Sequence, residues 1–489
     1  MFSDLELPGK VYPNYQSGKW IQKEGADLIE IRSPLDGSLV GKVTAMCKDD
    51  VDEAMDIAKR AQPRWRDVPI HRRAEILHRA ASILTENARE MVEVLLYEIG
   101  KDRKSGLSEV LRTADYIRFA ADSAKNMPGE SIPSESFPGF TKSKISLVTR
   151  EPLGVVLAIS PFNYPVNLSA SKIAPALVAG NTVVFKPATQ GAISALHLVK
   201  AFEMAGLPAG VLNTVTGYGQ DIGDYTVTHE KLDFINFTGS TQVGKRIAGL
   251  VKMKPMLMEL GGKDPAIVLE DANLPLAVSN IVSGAYSYSG QRCTAVKRVL
   301  VVDCVADHLA DMLREKVAAL KAGNPAADDE VTIVPLIDEH AADTVMSLVE
   351  EAKDKGAKLL LGGKREKNLV HPVLMDHVTT QMKLAWEEPF GPVLPIIRIR
   401  DAQEAIEIAN RSEYGLQSCI FTQNIDQAFS IASRLEVGTV QVNGKTERGP
   451  DHFPFLGVKS SGIGVQGIRY SIEAMTRPKA IVINISPHL

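Results

Sequence analysis

From Pro152 onward the chain alternates short apolar runs with amphipathic helical stretches, and this alternation limits the possible folds more than any other feature. Strands are predicted at residues 155–159, 182–186, 211–216, 234–237 and 256–260, with a helix at 192–205 and an Ala- and Leu-rich helical stretch before residue 182. Five apolar runs separated by helix-length connections are what parallel neighbours in one buried sheet require. The expected fold class is therefore α/β, with a doubly wound, Rossmann-like sheet.

A second α/β series begins near Ala266. It continues through a strand at 299–302, a helix at 305–320, and strands near Ile396, at 419–421 and at 439–442. At 489 residues the chain accommodates two such domains. Upstream, residues 48–121 read as helical, because Val51, Ala54, Ile57, Ala58 and Ala61, and later Ile76, Leu77, Ala80 and Leu84, recur at helical spacing. Two β-prone segments, 144–150 and 480–485, fall outside both series. Unpaired edges recruit partners, so pairing between subunits is expected there.

Composition removes several function classes. With 45% hydrophobic and 23% charged residues the chain is an ordinary globular protein rather than a disordered one. Lys and Arg number 55 against 59 Asp and Glu, without the basic excess that nucleic-acid binding demands. Asp4 and Glu6 stand where an export signal needs a basic end and an apolar run. The uncharged span 154–171 is long enough to cross a bilayer, but Pro161, Asn163, Pro165 and Asn167 interrupt it, so no membrane span is expected. Cys47, Cys293, Cys304 and Cys419 form no CxxC pair and have no companion His spacing, which predicts no metal site and a reducing, cytoplasmic location.

Two glycine motifs mislead if read as strings. Gly462, Gly464 and Gly467 spell GxGxxG, but too little chain follows to build a dinucleotide-binding unit, and a structural loop is expected. Gly239 to Lys245 resembles a phosphate-binding loop that follows a strand and opens a helix. Position 246 is Arg where magnesium coordination needs Ser or Thr, which argues against an NTPase. A glycine-bearing turn at a helix start still suits a pyrophosphate.

Three residues are candidates for chemistry. Cys293 lies in a small, polar setting beside Arg292, whose charge is expected to favour the nucleophilic thiolate. Glu259 ends an apolar strand one residue before a diglycine. Asn163 sits between Phe162 and Tyr164 inside a Pro-bounded turn, either as turn chemistry or as a held amide donor.

Six motifs in order, Pro161-Phe-Asn-Tyr-Pro165, Phe185-Lys-Pro-Ala188, Phe237-Thr-Gly-Ser240 with Gly244, Glu259-Leu-Gly-Gly262, Gly290-Gln-Arg-Cys293 and Glu387-Glu-Pro-Phe-Gly-Pro392, resemble the aldehyde dehydrogenase superfamily. The resemblance implies Cys293 as nucleophile, Glu259 as general base, and Asn163 with the Cys293 N–H as oxyanion hole. It implies Lys186 and Glu388 on the cofactor riboses, Phe390 beside the nicotinamide, and Gly239, Ser240 and Gly244 in place of the usual glycine fingerprint. Ser160, Pro161, Phe162, Gly219 and Leu260 complete the implied cofactor lining, and Thr294 adjoins the substrate. The implied organisation is a cofactor domain (1–130 and 152–260), a catalytic domain (261–460) and a small oligomerisation β extension (131–151 and 461–489). A homotetramer, as a dimer of dimers, accompanies it.

Within that superfamily the strings around Asn163, Cys293 and Glu388 are similar to the non-phosphorylating glyceraldehyde-3-phosphate dehydrogenases. That similarity implies a phosphorylated aldehyde held by Arg112, Tyr164, Arg292 and Arg448, since guanidinium groups bind phosphate bidentately. The implied reaction oxidises D-glyceraldehyde 3-phosphate to 3-phosphoglycerate without inorganic phosphate. Another small aldehyde, lactaldehyde or succinic semialdehyde, is the nearest alternative; a catalytically silent protein on the same fold is the alternative of another class. Many NAD-using members carry Glu directly after Lys-Pro-Ala, whereas this chain has Thr189, so NADP is favoured over NAD.

Overall fold

The computed structural model describes residues 5–485. Asp4 and the outermost residues of the two expected terminal segments, 1–4 and 486–489, lie outside the described residues.

Strands Val155–Ile159, Thr182–Lys186, Leu212–Thr214, Phe234–Thr238 and Met256–Glu259 form one parallel sheet. Numbered in chain order, they lie as 3-2-1-4-5, the doubly wound order. Alternate residues serve opposite cores, as period-two geometry requires. Val156 and Ala158 pack with helices Asn167–Ala179 and Ala192–Met204, and with Ile70–Glu86 and Arg103–Lys125 outside them. Val155 and Leu157 face helices Lys48–Arg66 and Thr241–Leu250 on the other side. The early helices thus cover a sheet that the chain builds afterwards.

The second sheet contains Val373–Asp376, Val393–Ile399, Arg298–Val302, Pro265–Val268, Gln417–Phe421 and Thr439–Val442, all parallel, with Lys358–Leu361 added antiparallel at one edge. Strand Met256–Glu259 passes through residues 260–264 directly into Pro265–Val268. The carboxyl end of the first sheet therefore meets the amino end of the second.

One expectation changes. Segment 144–150 does not need another subunit to pair: Lys144–Pro152 runs antiparallel to Thr476–Asn484 along its whole length, and Glu130–Pro133 adds a third strand. A two-residue turn or a shared pattern would have revealed this pairing, but the partners are separated by more than 300 residues. Gly462–Ile463 joins the edge of the first sheet beside Glu259, and helix Ile468–Ala474 packs into the first core, so within 461–489 the three-stranded sheet takes Thr476–Asn484. Gly464 and Gly467 hold φ of 80° and 114°, turn conformations rather than a nucleotide loop. Small strands between residues 11 and 44 were not predicted, being only two to six residues long. Among the described residues no helix is long and apolar enough to cross a membrane.

Candidate active site

The cofactor candidates gather at the carboxyl ends of the parallel strands, the crevice where open α/β sheets bind ligands. Ser160, Pro161 and Phe162 follow the first strand, Lys186 ends the second, and Gly239 and Ser240 follow the fourth. Ser240 caps helix Thr241–Leu250 by accepting from the Val243 N–H, leaving other N–H groups of that turn for an anion. A Cβ on Gly244 would lie 2.4 Å from Leu260 Cδ2, so only glycine lets this helix start approach the strand end. Lys245 and Arg246 are engaged elsewhere, with Glu413 at 2.7 Å and with Asp224, which disposes of the phosphate-loop reading. Lys186 Nζ donates to the Gly217 carbonyl at 2.9 Å, and burial pushes its pKa down to about 8. Thr189 is half-buried beyond it, whereas Gly219 is exposed with open space where a Cβ would stand.

The candidate base ends strand Met256–Glu259, directly before the 260–264 linker. Glu259 is 1% exposed, and both of its carboxylate oxygens are buried without a hydrogen-bond donor from the protein backbone or a basic side chain. The Cys293 thiol faces them. Burial raises the Glu259 pKa, while the charges of Arg448 and Lys172 and the thiol oppose the rise. The diglycine that follows is required by close approach rather than flexibility: a Cβ on Gly261 would lie 2.2 Å from Glu388 Oε2, and one on Gly262 would lie 3.1 Å from the Cys293 carbonyl oxygen.

Cys293 is half-buried on the loop between helix Leu274–Tyr286 and strand Arg298–Val302. Tyr288 and Ser289 hold φ of 50° and 53°, conformations costly for residues with a Cβ. Buried hydrogen bonds enforce them: Tyr288 Oη donates to the Ile99 carbonyl at 2.8 Å and Ser289 Oγ to the Val334 carbonyl at 2.8 Å. The expected activation by Arg292 is not found. Arg292 points away and donates to the Gly284 carbonyl at 2.6 Å, and the Cys293 pKa is pushed up by burial and by the adjacent Glu259 carboxylate. The cation that opposes this rise is Lys297.

Asn163 Nδ2 donates to the Gln291 carbonyl at 2.9 Å, two residues before Cys293. Its own carbonyl accepts from Lys101 Nζ at 2.6 Å. Lys101 is wholly buried, ion-paired with the equally buried Glu109, and lies 3.5 Å from the Tyr164 ring centroid. Glu109 Oε1 in turn accepts the N–H groups of Val166 and Asn167, which fixes the start of the next helix. From the second domain, Phe390 meets Phe162 edge to face, with centroids 6.0 Å apart. Glu388 is ion-paired with Lys297.

Of the four expected phosphate-binding residues, Arg112 and Tyr164 line one cleft of about 790 Å³. Arg112 joins Arg448 through Asp451: its Nε lies 2.6 Å from Asp451 Oδ2, and its guanidinium also donates to the Arg448 carbonyl. Arg448 Nη1 and Arg292 Nε are buried without partners, two donors available to an anion. Thr294 is buried, and its carbonyl accepts from Thr446 Oγ1 at 2.9 Å. Sequence reasoning missed Lys101, Lys172, Lys297 and Asp451. Lys172 alone had a visible signal, as a lone cation within the apolar stretch 167–179; burial pushes its pKa down to about 7.

A crevice at the carboxyl ends of a doubly wound sheet, with a thiol and a buried carboxylate facing each other beside it, marks a dinucleotide-using enzyme. The chain belongs to the aldehyde dehydrogenase family, whose model matches residues 20–481. A Streptococcus equinus protein called NADP-dependent glyceraldehyde-3-phosphate dehydrogenase is 55% identical, covering 98% of this chain and 99% of its own length. A Methanocaldococcus jannaschii lactaldehyde dehydrogenase is 39% identical over 96% of this chain and 99% of its own. The crystal structure of NADP-dependent glyceraldehyde-3-phosphate dehydrogenase from Bacillus halodurans, complexed with NADP, superposes with a TM-score of 0.95 at 52% identity, covering 97% of this chain and 99% of that one.

Proposed function

We propose that the protein oxidises D-glyceraldehyde 3-phosphate to 3-phosphoglycerate with NADP, without consuming inorganic phosphate. The observation that carries the chemistry is the Cys293 thiol facing the buried Glu259 carboxylate; the full-length similarity to glyceraldehyde-3-phosphate dehydrogenases supports the substrate. The crevice fits a dinucleotide, because the Ser240-capped helix start presents free N–H groups at the carboxyl ends of the parallel strands, and the Gly244 and Gly261 approaches let Leu260 and Glu388 pack beside it. Ser160, Pro161, Phe162, Lys186, Thr189, Gly219, Gly239, Ser240, Gly244, Leu260, Glu388 and Phe390 are the residues assigned to hold it. When bound, NADP supplies the hydride acceptor.

The Cys293 thiolate attacks the aldehyde carbon and forms a C–S bond. Asn163 Nδ2 and the Cys293 N–H hold the resulting oxyanion. Loss of hydride from that carbon leaves a thioester on Cys293. Glu259 then takes a proton from water, the water oxygen attacks the thioester carbon, and breaking the C–S bond releases the acid and restores the thiolate. Arg112, Tyr164, Arg292 and Arg448 hold the substrate phosphate, with Thr294 beside the reacting carbon. One N–H of the Asn163 amide donates to the Gln291 carbonyl, and the second is the donor left for the oxyanion.

The division into a cofactor domain, a catalytic domain and a β extension belongs to this reading, as does a cytoplasmic homotetramer. The exposed apolar face of the extension, with cross-strand neighbours Leu147 and Ile481 and, two residues on, Ile483, each at least 40% exposed, supports assembly through it. The lactaldehyde dehydrogenase among the relatives favours lactaldehyde as the second substrate reading. Initial rates of NADP reduction in phosphate-free buffer with glyceraldehyde 3-phosphate, glyceraldehyde and lactaldehyde decide between them. A preference for the phosphorylated aldehyde is expected, and its absence overturns the substrate assignment.

A further inference from the structure

Lys297 makes three contacts at once with parts of the site that arise from different segments. Its Nζ donates to the Cys293 carbonyl at 2.9 Å, is ion-paired with Glu388, and lies 5.6 Å from the Phe390 ring centroid. The side chain is 2% exposed, so this ammonium is held in place rather than solvated. Nothing in the reaction as described uses it. We propose that Lys297 is a positioning residue that ties the loop carrying the nucleophile to the carboxylate receiving the cofactor's nicotinamide ribose. The inference rests on the proposed cofactor role of Glu388.

Two physical consequences follow. The Glu388 carboxylate, 17% exposed, is held by the Lys297 ion pair and by the Gly262 N–H at 3.3 Å, so losing the ammonium leaves its orientation to the weaker of the two contacts. The thiol is surrounded by Glu259 on the base side and Glu388 on the cofactor side, with Lys172 and Arg448 lying toward Glu259. Removing Lys297 therefore takes away a cation and leaves Glu388 unbalanced, and both changes disfavour the thiolate.

The test uses the full-length enzyme without cofactor. Alkylation of Cys293 by iodoacetamide, followed on its own peptide by mass spectrometry so that Cys47 and Cys304 do not interfere, gives the pH profile of the thiol. NADPH fluorescence gives cofactor affinity. For Lys297→Met the alkylation midpoint should rise by about one pH unit or more. Cofactor binding should weaken about tenfold or more. Glu388→Gln should weaken it as well, and the double variant should lose less than the two single losses combined, because both act through one contact. Lys297→Gln, which keeps a donor without the charge, should retain more cofactor affinity than Met while still shifting the alkylation profile; it also serves should Met prevent folding. An unchanged profile and affinity in both variants, or a lowered melting temperature alone, overturns the inference. Failure of the wild type to bind NADPH would instead overturn the cofactor reading.

Discussion

Arg448→Ala perturbs two things that the structure allows to be separated. Arg448 is about nine-tenths buried, its Nε is 3.7 Å from Asp451 Oδ1, and its Nη1 has no hydrogen-bond partner. One unmade charge-assisted bond is thus available to a substrate phosphate, worth roughly 1.5–3 kcal/mol or about a tenfold to hundredfold loss of kcat/KM for glyceraldehyde 3-phosphate. Unphosphorylated glyceraldehyde lacks that contact and should keep its kcat/KM. The same guanidinium, however, is the foremost charge holding down the raised pKa of Glu259. Without it Glu259 binds its proton more tightly, so the base is lost at higher pH than in the wild type. Thioester hydrolysis comes after acylation, and this second effect should lower kcat for both aldehydes and move the acid limb of kcat upward in pH. Initial rates of NADP reduction with both aldehydes, on wild type and variant across the pH range around neutrality, separate the two effects. Equal losses of kcat/KM for both aldehydes would refute the phosphate contact, and an unmoved acid limb would refute the coupling to Glu259.

Glu259→Gln should give a burst of reduced cofactor near one per active site and then slow turnover, and Cys293→Ser no burst; normal steady-state turnover in Glu259→Gln would show that another group activates the water. Thr189→Glu should weaken NADP binding through repulsion of the 2′-phosphate while NAD is little affected, as measured by titration of each cofactor; equal losses would exclude charge as the cause. Lys101→Met leaves Glu109 buried and unpaired, which should cost about 3–5 kcal/mol of stability in denaturant unfolding. Lys101→Met/Glu109→Gln should recover part of it, since the amide oxygen can still accept from Val166 and Asn167; a wild-type midpoint for the single variant would refute the pair's structural role.

What the sequence determined was the period of its apolar residues and which residues are candidates for the chemistry. Strands at 155–159 and 182–186 are legible because both faces of a parallel sheet are buried, and Cys293, Glu259 and Asn163 are legible because their motifs follow one another in family order. The direction of Arg292 was not legible: adjacency along the chain placed a cation beside the thiol, but the turn through Tyr288 and Ser289 sends its guanidinium to Gly284. Lys297, four residues after Cys293, supplies that charge instead. Lys101 and Asp451 are silent in sequence because their partners, Asn163 and Arg112, lie 62 and 339 residues away. The strand pairing of Lys144–Pro152 with Thr476–Asn484 was hidden for the same reason. Periodicity records which side of an element is buried, whereas the neighbours across a buried interface are chosen only when remote segments are packed together, and the burial that raises the pKa values of Glu259 and Cys293, with the charges that modulate it, comes from those neighbours.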